Sequence, residues 1–243
     1  MARIDDADDP RRRVLIQALT LGLFSGATPG GSAWAADFFG RSPSRLPEGQ
    51  SIYRIFGDVT VNGNAASLQT KISANDTVRT GKDSEIVFVV GGNSMILNAD
   101  SHVVLKSAEK ESFVISALRL LTGKMLSVSR SKGTYVSTPT ATIGIRGTGY
   151  YVEADPELTY FCTCYGLTDV ESSQDATSKD TVAATHHDKP LYILAGEPAG
   201  KNIRRGPFKN HTDQELMLIE SLVGRTPPFV FPGTEYSAPR KEY

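Results

Sequence analysis

Residues 84–98 read SEIVFVVGGNSMILN. Two β-rich apolar runs flank Gly91-Gly92-Asn93, the composition of a tight hairpin between two strands. The same texture extends in both directions. Upstream, IYRIFGDVTVNG (52–63) alternates and ends in an Asn-Gly turn signal, and DTVRTG (76–81) follows. Downstream come SHVVLKS, SFVISALRLLTGKMLSVSR, TYVSTP, TATIGIRGTGYYVEA and LTYFCTCYGLTDVES. Turn signals recur roughly every 8–12 residues, which predicts an all-β fold of the sandwich, barrel or solenoid-like type. Residues 172–190, SSQDATSKDTVAATHHDKP, read as a polar loop, and LYILAG (191–196) as a last short strand.

The texture then changes. HTDQELMLIESLVG (211–224) is a helix with Thr212 as N-cap and Glu215 completing a capping box. Leu216, Ile219, Leu222 and Val223 share one face, and Gly224 terminates the helix. Pro227 and Pro228 cannot continue it, because proline lacks the amide donor. The expected organisation is an export signal over 1–35, a linker over 36–50, a β domain over 51–196, and a C-terminal helix with an extended tail over 197–243.

The export signal rests on order. Arg11, Arg12 and Arg13 precede an apolar run from Val14 to about Ala27, and Ala33-Trp34-Ala35 has the small-x-small pattern of a cleavage site. The apolar run falls short of the roughly 20 residues that a membrane span needs. RRRVL (11–15) also resembles a twin-arginine signal, so the general secretory and twin-arginine routes both stay open. The expected location is the periplasm, with no stable membrane insertion after cleavage. The 243-residue chain has a formal net charge of −1 and no basic stripe, which argues against nucleic-acid binding.

The ordered series GDVTVNG (57–63), DTVRTG (76–81), SEIVFVVGGNSMILN (84–98), LLTGKMLSV (120–128), VSTPTATIGIRGTGYYV (136–152) and TYFCTCYG (159–166) resembles the FecR domain family. The most specific part is Thr138-Pro139 with Arg146-Gly147-Thr148. The resemblance covers about residues 52–166. It implies an all-β, solenoid-like or sandwich-like periplasmic domain. It also implies cell-surface signalling, in which such a protein senses a transporter loaded with an iron carrier and controls a sigma factor. The reading for this chain is a free-standing exported FecR-like module that binds a protein partner in the envelope, linked to iron or envelope sensing. Pro139 suits a strand end, Gly144, Gly147 and Gly149 suit tight bends or close stacking, and Arg146 suits a turn anchored on backbone carbonyls.

Cys162 and Cys164 are the only cysteines, too few for a disulfide framework. On a strand they point to one face. A disulfide between them would close a strained, easily reduced ring. As thiolates they offer half of a tetrahedral set for zinc, copper(I) or an iron centre. His186 and His187 are the next candidate ligands, and on a strand only one of the two could face the thiols. His211, just before the helix, and His102 complete the histidines. The candidate metal residues are therefore Cys162, Cys164, His186 and His187, with zinc, copper or iron/haem as the cofactor classes. Thioether-linked haem is disfavoured, because Cys-x-x-Cys-His is absent. Buried packing of both cysteines is the plain alternative. The mature chain carries no Gly-x-Ser-x-Gly, P-loop or His-Glu-x-x-His, so no enzyme is expected. Two alternative functions stand beside the signalling module. One is a periplasmic metal- or haem-binding protein using the Cys-x-Cys and His-His residues, the other a structural envelope adaptor.

Overall fold

The computed structural model describes residues 44–107 and 114–229, apart from the side chains of 130–132. The expected export signal, the first part of the linker and the last part of the tail lie outside the described residues. Among the described residues thirteen strands form one branched antiparallel sheet, so the fold is all-β in its body, as the turn spacing predicts. They are β1 (Ile52–Phe56), β2 (Val59–Val61), β3 (Asn64–Ala65), β4 (Thr77–Thr80), β5 (Glu85–Val90), β6 (Asn93–Leu97), β7 (His102–Lys106), β8 (Ala117–Ser137), β9 (Ala141–Ala154), β10 (Leu158–Ser172), β11 (Lys179–Ala184), β12 (Leu191–Leu194) and β13 (Ile203–Arg205). The path runs β13-β12-β10-β9-β8-β7-β4-β2-β3, with β11 on β10, β6 on β8, β5 on β6, and β1 on β5.

The opening stretch behaves as read. β5 and β6 form a hairpin in which Val90 pairs with Asn93 across Gly91-Gly92. Asn62 and Gly63 both take positive φ, 52° and 82°, as the Asn-Gly hairpin turn requires. Pro139 sits between β8 and β9, where the Thr138 and Ala141 backbones close the turn with a 2.9 Å hydrogen bond. Gly149 lies under the Tyr165 ring, and a Cβ there would meet the ring at 2.4 Å. Two expectations change. The 172–190 segment is not all loop, because β11 forms inside it and buries Val182. Arg146 does not anchor a turn on carbonyls: its Nε donates to Asp169 Oδ2 across strands at 2.7 Å, in an exposed pair. Such a pair contributes little to stability.

The long strands β8–β10 feed two cores, because alternate side chains face opposite sides of a sheet. Met125, Tyr150, Val152 and Phe161 enter the larger core, with Ile86, Phe88 and Leu97 of the neighbouring hairpin. Leu126, Val128, Tyr151, Tyr160, Cys162 and Cys164 face the other side. That second face is covered by the one helix among the described residues, α1 (Asp213–Leu222), through Leu216, Ile219 and Leu222. The capping box is present: Thr212 Oγ1 accepts from the Glu215 amide, and Glu215 accepts from the Thr212 amide. Gly224 ends the helix at φ +70°. The Leu46 amide donates to the Leu222 carbonyl at 2.9 Å, satisfying a group that a helix end leaves open.

Burial on this face sets the first prediction. Ile219→Ala should lower unfolding free energy by about 2–5 kcal/mol, since it deletes a fully buried side chain. Met217→Ala, on the exposed face of the same helix, should stay within about 0.5 kcal/mol. Urea unfolding of the two variants checks this; equal effects would mean that the helix does not pack on the sheet.

Candidate functional site

The Cys-x-Cys segment lies in β10 beneath the start of α1. Thr163 and Tyr165 pair with the consecutive residues Tyr150 and Gly149, so Cys164 is the extra residue of a bulge. Cys162, Cys164 and Tyr165 all join the helix-side core. Both thiols are free and fully buried.

The loop after β11 delivers the histidine pair. Asp188 Oδ2 accepts from the amides of Thr185 and His186 and from the Thr185 hydroxyl, which folds THHD into a compact turn. His187 takes φ +54°, uncommon outside glycine, and its amide donates to the Cys164 carbonyl at 2.9 Å. Its ring is thereby set against the cysteines, with Nδ1 3.4 Å from Cys162 Sγ.

The segment before α1 delivers the fourth residue. His211 Nδ1 lies 2.7 Å from the Lys209 carbonyl, and its Nε2 lies 3.1 Å from His187 Nδ1. Tyr151 stacks on the His211 ring with centroids 4.4 Å apart, and Phe208 packs against both His187 and His211. Asp213, in the first turn of α1, accepts from His187 Nε2 at 3.0 Å and from His186 Nε2 at 2.9 Å. The helix N-terminus favours that negative charge.

Thus Cys162, Cys164, His187 and His211 converge, with one ligand atom each, all within 4.8 Å of one another. His186 is not in this group: its Nε2 is taken by the Asp213 carboxylate, at the edge of the site. Among the residues the sequence singles out, His211 stands in its place. Asp213 had no distinguishing signal, since an acidic residue in a first helical turn is ordinary. His102 lies on β7 opposite Arg79.

The electrostatics follow from burial and partners. Burial opposes the Cys162 thiolate, yet hydrogen bonds from Cys164, His187 and His211 hold its pKa well below the usual range. Burial and the neighbouring Cys162 push Cys164 upward. Burial would lower His187, but Asp213 and Cys162 overcome it and raise it to about 9. Burial also opposes the Asp213 carboxylate, and the two histidines hold it below its ordinary value. The group can therefore hold a thiolate–imidazolium pair or a soft cation.

Residues 76–163 match the FecR protein family. They run from β4 into β10 and include Cys162 but not Cys164, His187 or His211. This segment is similar to the FecR domain. Two crystal structures of a candidate anti-sigma factor from Parabacteroides distasonis ATCC 8503, at 2.50 and 1.65 Å resolution, resemble it. Each has 13% sequence identity and a TM-score of 0.43, over 69% of this chain and 85% of that one. No curated protein matches. The FecR domain supports a regulatory role. Among the described residues no helix is long and apolar enough to cross a membrane.

Glu153 supports the segment that carries His211. It accepts from Lys209 Nζ at 2.8 Å, Asn210 Nδ2 at 2.7 Å and the Tyr151 hydroxyl at 2.9 Å. Burial raises its pKa, but these donors bring it below the ordinary 4.5. A carboxyl with a depressed folded value stabilises the fold above its unfolded value, and loses that contribution as pH falls through the folded one. Glu153→Gln should therefore flatten the loss of stability on acidification below about pH 5. Thermal melts of wild type and variant across that range test it; parallel acid limbs would remove Glu153 from the account.

Proposed function

We propose that this protein is a non-enzymatic, FecR-type regulatory module of the cell envelope that acts by binding another protein. The match of residues 76–163 to the FecR family carries the reading. The export signal read over residues 1–35 favours a periplasmic location, where a transporter or another envelope sensor is within reach. Sensing linked to iron or to the state of the envelope follows from the FecR resemblance.

The contact surface favoured here is the edge strand β1. Among the described residues β1 pairs only with β5, and it exposes Tyr53 and Phe56, the latter 61% accessible. An edge strand with apolar side chains can take an added strand from a partner, with backbone hydrogen bonds giving affinity. It is also a hazard unless covered.

Placing a photo-crosslinking amino acid at Phe56 in living cells should yield a discrete adduct in the periplasmic or membrane fraction. The same probe at Met217, on the outer face of α1, should not. Phe56→Lys should reproduce the transcript changes of a deletion strain while leaving the melting temperature within a few degrees. A deletion strain with an unaltered transcript profile would overturn the regulatory reading.

A further inference from the structure

We propose that Cys162 Sγ, Cys164 Sγ, His187 Nδ1 and His211 Nε2 form a closed tetrahedral zinc site that ties α1 to the sheet. This goes beyond the regulatory reading and holds whichever partner the module binds.

His187 Nε2 faces the Asp213 carboxylate, and His211 Nδ1 faces the Lys209 carbonyl. Neither oxygen can donate, so both nitrogens carry their protons there. In the neutral rings the inner nitrogens are then bare lone pairs. They point at one another across 3.1 Å, in a buried space that also holds two sulfur atoms. Lone pairs and thiolates converging this closely repel unless positive charge lies between them, whether a proton on His187 or a metal cation. The arrangement calls for positive charge at its centre.

Distances and charge select the cation. With zinc–nitrogen bonds of about 2.0 Å and zinc–sulfur bonds of about 2.3 Å, a tetrahedron separates its nitrogens by about 3.3 Å and nitrogen from sulfur by about 3.5 Å. The observed 3.1 Å and 3.4 Å lie close to these edges. Four ligand atoms within 4.8 Å enclose one ion and leave no room for a macrocycle between them. Two thiolates and two neutral imidazoles make zinc(II) a net-neutral centre, whereas copper(I) would leave a buried negative charge. Binding displaces two protons from the cluster to solvent and changes no oxidation state.

The surroundings complete the case. Asp213 holding His187 Nε2–H is the carboxylate–histidine–metal arrangement that fixes tautomer and ring orientation. Tyr151 and Phe208 cover the histidines. All four ligands are buried and none is left for substrate, so the site is structural. Three of the four lie beyond residue 163, so the site is an addition to the FecR domain that anchors the C-terminal segment to it.

The test is zinc content of the full chain, purified without chelator, by mass spectrometry. Wild type and His186→Ala should each hold one zinc per chain. Cys164→Ser and His211→Ala should hold less than a tenth of that. His211→Cys, which keeps a ligand, should retain zinc. Cobalt(II) exchanged into folded wild type should give tetrahedral d–d bands and a thiolate-to-cobalt charge-transfer band, and the His211→Cys spectrum should shift. A folded wild type that takes up neither zinc nor cobalt overturns the proposal. So does zinc that persists in Cys164→Ser and His211→Ala. Since the cobalt spectrum is read on the wild type, a variant that fails to fold does not protect the idea.

Discussion

The Asp213 carboxylate joins the start of α1 to the histidine turn, and His187 carries that link on to the cysteine strand. Asp213 stands in the first turn of α1 and is almost completely buried, yet it accepts from both His186 and His187. A lone buried carboxylate would cost several kcal/mol. Here two imidazole donors and the helix N-terminus answer its charge. The same contacts orient His187 towards Cys162, and bring the loop after β11 under the helix.

The second buried carboxylate works at the other end of the helix. Glu220 accepts from the Tyr165 hydroxyl, and from Arg225 Nε at 2.5 Å. Arg225 also donates to the Gly92 carbonyl of the β5–β6 hairpin at 3.0 Å. The helix is thus held at both ends by paired charge and along its length by Leu216, Ile219 and Leu222. Removing one member of such a set leaves the other buried and unpaired, which costs more than the pair contributes. The polar contacts therefore set where α1 sits, and the apolar face supplies most of the stabilisation.

The bulge at Cys164 connects fold to site. Strict alternation would send Tyr165 to the opposite face from the cysteines. One extra residue keeps Cys162, Cys164 and Tyr165 on the helix side. Tyr165 then lies over Gly149, where no side chain stands in its way. A glycine within the FecR-matched segment therefore makes room for a residue that serves the region outside it.

Much of this was legible in the residues. Alternating β-rich runs, the Gly-Gly and Asn-Gly turns and the Thr212–Glu215 box depend on local chemistry, and they appear where local chemistry puts them. β11 has no strand signal in the sequence, because it buries only Val182 fully and its composition otherwise looks like loop. The site was half legible. Cys162 and Cys164 share a face because strand geometry acts over two residues, whereas His186 and His187 lie in a stretch read as loop, where either or both could join them. Which one joins depends on the positive φ of His187 and on its amide bond to Cys164. The choice of His211 and Asp213 depends on where α1 lands, dozens of residues further along the chain. Sequence by itself determined the elements, because hydrogen bonding and side-chain alternation are local. Only tertiary structure decided the cluster, because its members meet through packing between segments that no local rule relates.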